Sequence, residues 1–152
     1  EFGILNGYSL KQFAETVNSN CFINAFDIFD KFSGNHADKD SITKIFNKYS
    51  NIKIEDGDFF EKVKDIDDSS IDILHVDIAN NGDVYEFVFQ NYINKMCKDG
   101  IIIFEGGSQE RDSVEWMIKY NKPKIKPIID KYSDIYNIKT IGTIPSITII
   151  SL

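Results

Sequence analysis

Apolar residues recur at intervals of three and four along much of the chain, the spacing that places them on one face of a helix. The stretches with this spacing are residues 10–17, 42–49, 59–63, 84–96 and 113–120, and each is predicted to be helical. Ser9 and Asp40 precede the first two and are the predicted N-caps, because their side-chain oxygens can accept from backbone N–H groups. Pro123 and Pro127 mark a loop after the last of these helices.

Short apolar runs alternate with these helices and are predicted to be strands, at residues 21–27, 52–54, 71–77, 101–104, 136–141 and 147–150. This alternation indicates a mostly parallel, doubly wound sheet with helices on both faces. The last two strands are joined through Gly142 and Pro145, a link short enough to predict an antiparallel hairpin. The predicted class is therefore α/β, and the absence of a linker predicts one domain over residues 1–152.

The first strand of this fold is predicted to be truncated. The chain opens at Glu1-Phe2-Gly3, immediately before a glycine-containing turn and the first predicted helix. A doubly wound fold needs a strand that leads into such a turn, and only its last residues are present. We therefore expect the natural protein to extend upstream.

The charge and the cysteines limit the partners and the compartment. The formal net charge of −7 repels phosphate groups, so neither nucleic acid nor an anionic membrane surface is expected as a partner. No apolar run approaches the roughly 20 residues that span a bilayer, and no signal peptide is visible. Cys21 and Cys97 are too few for a disulfide scaffold or a zinc site, so both are expected to be reduced, packed thiols of a cytoplasmic protein.

A candidate ligand-binding turn occupies the first nine residues. Gly3 and Gly7 permit left-handed backbone and close approach of a ligand, and a helix N-terminus with unsatisfied N–H groups follows. The spacing differs from the dinucleotide-binding G-x-G-x-x-G pattern. The alternative interpretation is an ordinary tight turn between a strand and a helix.

Acidic residues follow the next two predicted strands. Asp27 ends one strand about 20 residues after Gly7, where an acid can accept hydrogen bonds from ribose hydroxyls. Asp58 and Phe59 follow the next strand, and together a carboxylate and an aromatic ring can receive an adenine. The alternative for this pair is a turn with a core phenylalanine.

Further chemistry-bearing residues lie at the ends of two apolar strands. Asp77 and Glu105 each end a predicted strand and could face one pocket, where carboxylates can act as a general base or hold a metal. His75 lies on the same strand face as Asp77. The alternatives are a hydrogen-bonded core histidine, and a Glu105 that caps the next helix or pairs with Arg111.

Taken in order, these motifs resemble the class I S-adenosylmethionine-dependent methyltransferases over essentially the whole chain. The matching residues are E-x-G-x-x-x-G-x-S at Glu1, Gly3, Gly7 and Ser9, the acid Asp27, the pair Gly57-Asp58, I-D-I-L-H-V-D at residues 71–77, and G-I-I-I-F at residues 100–104. The resemblance implies a Rossmann-like fold whose last strand is inserted antiparallel, with S-adenosylmethionine as cofactor.

The same resemblance implies a role for each matching residue. It assigns the methionine end of the cofactor to Glu1, Gly3, Gly7, Tyr8 and Ser9, the ribose to Asp27, the adenine to Asp58 and Phe59, and the methyl group to the neighbourhood of Asp77. The predicted base is Asp77, followed by Glu105 or His75.

Within that family the chain is similar to small-molecule O-methyltransferases of the macrocin type, which hold Mg²⁺ with D-x-D-x-Y and D-D motifs. Here Ile78, Ala79 and two asparagines follow Asp77, and two glycines follow Glu105. Mg²⁺ is therefore left open, and no metal ligand is predicted.

The implied activity is methyl transfer to a small-molecule acceptor, a hydroxyl of a sugar or natural product. One alternative is a nicotinamide-dependent oxidoreductase on the same architecture, against which the missing G-x-G-x-x-G pattern counts. The other is a non-catalytic, methyltransferase-like binding module, which the truncated start and the altered metal acids favour. Neither the identity of the acceptor nor the oligomeric state can be read from the residues.

Overall fold

The structure, a computed structural model, describes residues 1–31 and 34–152. Contacts divide the chain into two compact units, Glu1–Lys62 and Val63–Leu152, each of which is described by itself. The prediction of a single domain stays a prediction. None of the helices in the described part of the chain is long and apolar enough to cross a membrane.

In its described residues, the first unit contains a parallel strand pair and three α-helices. Its elements are α1 (Tyr8–Thr16), β1 (Ile23–Asp27), a 3₁₀ turn (Phe29–Lys31), α2 (Lys39–Phe46), β2 (Ile52–Asp56) and α3 (Phe59–Lys62). β1 and β2 pair from Ile23 opposite Ile52 to Asp27 opposite Asp56. Phe2 forms a parallel bridge to Phe26, so the first residues run beside β1 as the end of a strand would.

The core of the first unit is built from the apolar faces that the sequence pattern predicts. Leu10 on α1 is fully buried, and Ile42 and Phe46 on α2 are nearly so. Ile45, which the spacing of residues 42–49 predicts on the same apolar face, is 53% exposed. The core cluster consists of Ile4, Leu10, Ala25, Phe29, Ala37, Ile42 and Phe46.

Three local predictions in this unit are wrong. Ser9 does not cap α1, because the N-cap is Gly7 in the left-handed region. Asp38 rather than Asp40 caps α2, accepting a hydrogen bond from the backbone N–H of Asp40. Cys21 is exposed rather than packed, because β1 begins only at Ile23, where its pairing with β2 begins.

The second unit contains a four-stranded sheet with helices. Its elements are a 3₁₀ turn (Val63–Asp65), β3 (Ile71–Val76), α4 (Gly82–Phe87), a π-helical segment (Val88–Tyr92), a 3₁₀ turn (Ile93–Lys95), β4 (Met96–Glu105), a 3₁₀ turn (Arg111–Ser113), α5 (Glu115–Lys119), α6 (Lys126–Tyr132), β5 (Asn137–Gly142) and β6 (Ser146–Ser151). The strand order is β3-β4-β6-β5. β3 and β4 are parallel, and β6 runs antiparallel to both β4 and β5.

The parallel pairs and the C-terminal antiparallel hairpin confirm the predicted α/β class. Alternate residues of the second sheet face a fully buried layer, as period-two patterning requires. Leu74, Ile102 and Ile150 align across β3, β4 and β6 and are buried. Tyr85 of α4 stacks on Phe104 with ring centroids 3.9 Å apart, and burial raises the pKa of its phenol.

Two elements of this unit differ from the predictions. β4 begins at Met96 instead of Ile101, and a register shift between Ile71 and Ile73 accommodates residues 97–100, which lie between the predicted helix and the predicted strand. The region around Pro127 was predicted to be a loop, yet α6 begins at Lys126. A proline in the first turn of a helix lacks only an N–H that would have no intrahelical partner, so it favours a helix start.

A matched pair on β6 tests the assignment of the buried face. Ile150 is fully buried, whereas Ile147 on the same strand is 48% exposed. Ile150→Ala should lower the free energy of unfolding by about 2–5 kcal/mol, because it leaves a cavity in the core. Ile147→Ala should cost about 1 kcal/mol or less, mainly from reduced strand propensity. Denaturant unfolding of both variants measures the difference, and equal losses would contradict the assigned faces.

Candidate functional site

The turn between Gly3 and α1 has an unusual backbone. Gly3, Leu5 and Gly7 have φ angles of 89°, 47° and 73°, all in the left-handed region. Two features of Gly7 exclude a side chain. Its φ angle is in the left-handed region, and a Cβ would lie 2.7 Å from a ring carbon of Phe46. The N–H of Gly7 donates to the carbonyl of Ile4 at 2.7 Å and closes the turn.

The N-terminus of α1 faces this turn without a side-chain cap from the described residues. Ser9 lies in the first turn of α1, and its hydroxyl donates to the carboxylate of Glu1. Tyr8 is 78% exposed. The structure thus brings together Glu1, Gly3, Gly7, Tyr8 and Ser9, the five residues predicted for one end of the ligand. Unsatisfied N–H groups at a helix N-terminus favour a negatively charged ligand group.

Asp27 ends β1 with its carboxylate turned inward, and the residue is only 6% exposed. Oδ2 accepts from the N–H groups of Ile4 at 2.7 Å and Leu5 at 3.2 Å. Oδ1 accepts from the N–H of Phe29 at 2.9 Å and from Nδ2 of Asn35 at 2.5 Å. A carboxylate has about four acceptor positions, so these four donors occupy all of them. The role of Asp27 in ribose binding stays a prediction. A ribose hydroxyl would have to compete with these four donors for the carboxylate oxygens.

Asp58 and Phe59 follow β2 and differ sharply in exposure. Asp58 is exposed, and its Oδ1 accepts from the N–H of Phe60 at 2.8 Å at the start of α3. Phe59 is only 3% exposed and packs edge-to-face on Phe2 at 5.3 Å, which agrees with the alternative of a core phenylalanine. Phe60 is 41% exposed and is the ring that can face a ligand. Adjacent residues at a helix start point in different directions, so one of two neighbouring phenylalanines can be buried while the other is exposed.

In the second unit, the end of β3 combines exposed and buried polar groups. Asp77 follows β3 and is exposed, while His75 is partly buried on the strand face opposite Leu74. Asn80 was not singled out from the sequence, although it is completely buried. Its Nδ2 donates to the backbone carbonyls of Val76 at 2.8 Å and Glu105 at 2.9 Å, and so joins the ends of β3 and β4.

Glu105 at the end of β4 forms a bidentate ion pair with Arg111. Its two carboxylate oxygens accept from Nε at 2.7 Å and Nη2 at 2.8 Å. Arg111 is 7% exposed and lies over the ring of Trp116 at 5.2 Å. The hydrogen bonds to Glu105 raise the pKa of Arg111. The alternative interpretation, in which Glu105 pairs with Arg111, is therefore confirmed. To act as a base, Glu105 would have to give up a hydrogen bond to Arg111.

The loop after Glu105 is tied to the sheet and to α6. The hydroxyl of Ser108 donates to the carbonyl of Thr143 at 2.5 Å, and its backbone N–H donates to the hydroxyl of Ser146 at 3.2 Å. The buried carboxylate of Asp112 accepts from the N–H groups of Ile125 and Lys126 at 2.7 and 2.9 Å. Sequence patterns cannot reveal these long-range bonds, because the partners are distant along the chain.

No metal-ligand cluster appears in residues 1–31 and 34–152, where no three His, Cys, Asp or Glu side chains come together. The predicted residues of the methionine, ribose and adenine ends all lie in the first unit. The predicted base candidates Asp77, Glu105 and His75 all lie in the second.

A protein-family model described as a methyltransferase domain matches residues 1–105. No curated protein matches the chain at a significant level.

Several solved structures share the fold. The CurJ carbon methyltransferase has a TM-score of 0.68 and 11% identity, covering 99% of this chain and 46% of its own. A putative caffeoyl-CoA O-methyltransferase from Staphylococcus aureus has a TM-score of 0.64 and 14% identity, covering 99% and 73%. Aeropyrum pernix fibrillarin, solved with natively bound S-adenosyl-L-methionine, has a TM-score of 0.67 and 17% identity, covering 98% and 64%. The chain thus spans only 46% and 64% of the lengths of the first and third of these proteins.

The Glu105–Arg111 pair can be tested by a double-mutant cycle. Glu105→Ala should lower the free energy of unfolding by about 3 kcal/mol, because it leaves the buried guanidinium without its counter-charge. Adding Arg111→Met should recover part of that loss, with a coupling energy of about 1–3 kcal/mol. Denaturant unfolding of the two single variants and the double variant measures the coupling. Additive losses would show that the pair contributes no coupling.

Proposed function

Because the family model matches residues 1–105, this chain belongs to the methyltransferase-domain family, and we propose that it transfers a methyl group from S-adenosylmethionine to a hydroxyl of a small molecule. The observation on which the proposal chiefly depends is the turn from Gly3 to Gly7 and, beside it, the N-terminus of α1, which no described side chain caps. The whole protein's substrate and activity are part of the proposal.

The methionine end of the cofactor is assigned to this turn. Its carboxylate would accept from the first N–H groups of α1, where the helix dipole favours a negative charge. Its ammonium would face the carboxylate of Glu1, which the hydroxyl of Ser9 orients. Gly3 keeps the backbone open to close approach, Gly7 makes room for the ring of Phe46, and exposed Tyr8 borders the turn.

The adenosine end is assigned to the residues after β1 and β2. Asp58 would accept from the exocyclic amine of the adenine, and its exposure leaves the second carboxylate oxygen accessible. Phe60 is the ring proposed to cover the base, while buried Phe59 packs edge-to-face on Phe2 and Phe60. Asp27 ends β1 in the same unit and is the acid that the resemblance assigns to the ribose.

Bound S-adenosylmethionine supplies a methyl group that its sulfonium already activates. The protein therefore has to align the acceptor and remove a proton from it. Asp77 is the proposed base, because it is an exposed carboxylate directly after β3, at the strand end where ligands gather in α/β sheets. Glu105 is held by Arg111, and His75 is partly buried, so both rank behind Asp77.

A small hydroxyl compound is the acceptor class favoured by the charge of the chain. The net charge of −7 disfavours a phosphate backbone as substrate. A cytoplasmic location belongs to the same proposal, supported by the two free thiols of Cys21 and Cys97.

Cofactor binding provides the first test. S-adenosylhomocysteine should bind in isothermal titration calorimetry, and NADH should not. Asp58→Asn should raise the dissociation constant by about 10- to 150-fold, because a charge-assisted hydrogen bond contributes about 1.5–3 kcal/mol. The asparagine retains an acceptor for the N–H of Phe60, so α3 keeps its cap.

Asp56→Asn is the matched control, since Asp56 is an exposed acid two residues away at the end of β2. This variant should bind as the unmodified chain does. Binding of NADH alone would favour the oxidoreductase, and binding of neither would favour a non-catalytic module.

The base is tested by turnover. Formation of S-adenosylhomocysteine should be stimulated by sugars or phenols from a panel that also contains amines and ribosomal RNA. With the best hydroxyl acceptor, Asp77→Asn should lower kcat by about 10²- to 10⁴-fold, the usual contribution of a general base. Asp72→Asn removes an exposed acid from the same strand and should leave kcat unchanged. Stimulation by RNA alone would contradict the small-molecule acceptor.

A further inference from the structure

The carboxylate of Asp27 connects two segments of the first unit that are distant in sequence. On one side it accepts from the consecutive N–H groups of Ile4 and Leu5, inside the glycine turn. On the other side it accepts from Phe29 and from the side chain of Asn35. Asn35 is itself held by the N–H of Ala37, which donates to its Oδ1 at 3.0 Å.

The turn needs such a support. Leu5 has a φ of 47°, which costs a residue with a side chain about 1 kcal/mol or more relative to its ordinary conformations. Leu5 is also 51% exposed, so packing does little to hold it. The two bonds from Ile4 and Leu5 to one carboxylate oxygen fix this backbone, and with it the start of α1.

The same bonds oppose direct contact with a ribose. Asp27 is 6% exposed, and all of its acceptor positions are in use. A ribose hydroxyl could bind the carboxylate only by displacing one of the four donors. Three of those donors are backbone groups, whose displacement would leave an unpaired N–H, and the fourth is the side-chain amide of Asn35.

We infer that Asp27 is a positioning residue, which acts on the cofactor through the glycine turn, and that Asn35 assists it as the second member of the same hydrogen-bond network. This inference rests on the proposed function, because it assigns the turn to the cofactor. It differs from the ribose-binding role that the resemblance implies for Asp27.

The decisive experiment combines a variant with an altered ligand. Asp27→Asn should weaken binding of S-adenosylhomocysteine by about tenfold or more, because an amide cannot accept from donors on both of its sides. An analogue that lacks both ribose hydroxyls should suffer the same fold-loss, within a factor of about two. A penalty that disappears with this analogue would overturn the inference and establish Asp27 as the ribose ligand.

For Asn35→Ala, the positioning role and the ribose-binding role of Asp27 predict opposite changes in the affinity for S-adenosylhomocysteine. It removes one donor and frees an acceptor position on Asp27 while leaving the backbone donors in place. A positioning role predicts that S-adenosylhomocysteine binds more weakly, by about two- to fivefold. A ribose ligand would be released from a competitor, so unchanged or tighter binding would contradict the inference. This variant also keeps the test decisive if Asp27→Asn fails to fold.

Hydrogen exchange of the ligand-free protein tests the turn independently of any cofactor. The amides of Ile4 and Leu5 should exchange at least tenfold faster in Asp27→Asn, and unchanged rates would overturn the inference. Asp40→Asn, a charge-matched change at an exposed site on α2, should leave these rates unaltered. If the unmodified chain does not bind S-adenosylhomocysteine, the proposed function fails. If it binds and Asp27→Asn binds equally well, only the inference fails.

Discussion

Hydrogen bonds from backbone N–H groups to short acidic and amide side chains are the interactions on which the loops of this structure depend. A loop has no regular partner for its N–H groups, and a buried N–H without an acceptor costs about 1–3 kcal/mol. Asp27 supplies acceptors to three such groups and Asp112 to two. Single N–H groups are satisfied in the same way by Asp38, Asp58 and Asn81.

This use of carboxylates changes how the acids of the chain are to be interpreted. A carboxylate at a strand end is available to a ligand only if the loops beside it do not occupy its oxygens. Asp27 and Glu105 both end strands, yet one is occupied by loop donors and the other by Arg111. Asp58 and Asp77 are exposed at comparable positions. Exposure therefore separates Asp58 and Asp77 from Asp27 and Glu105, a distinction that residue type alone does not make.

Features of the fold that depend on residues close together in the sequence could be predicted, whereas features that depend on distant residues could not. The strands and the C-terminal hairpin could be predicted because buried strands are apolar runs and a short link forces antiparallel pairing. α6 was missed because Pro127 was interpreted as a helix breaker, although the helix start tolerates it. The start of β4 was missed because Lys98, Asp99 and Gly100 lie outside the apolar run, while the pairing of Met96 with Ile71 of β3 is a tertiary contact. The bonds of Asp27, Asn80 and Asp112 depend on tertiary contacts and leave no spacing pattern in the sequence.

The size of the Coulomb energy shows which negative charges can favour binding of the proposed cofactor over its demethylated product. S-adenosylmethionine has one positive charge more than its demethylated product, so negative groups favour the donor over the product. Seven unit charges at about 20 Å in water attract one positive charge by roughly 1.5 kcal/mol before screening. The Debye length of about 8 Å at physiological ionic strength reduces this attraction to a small fraction. A single carboxylate at about 4 Å contributes about 1 kcal/mol in water and several times more where water is excluded. Discrimination between donor and product must therefore come from carboxylates within a few ångströms of the sulfonium rather than from the acidic composition of the chain.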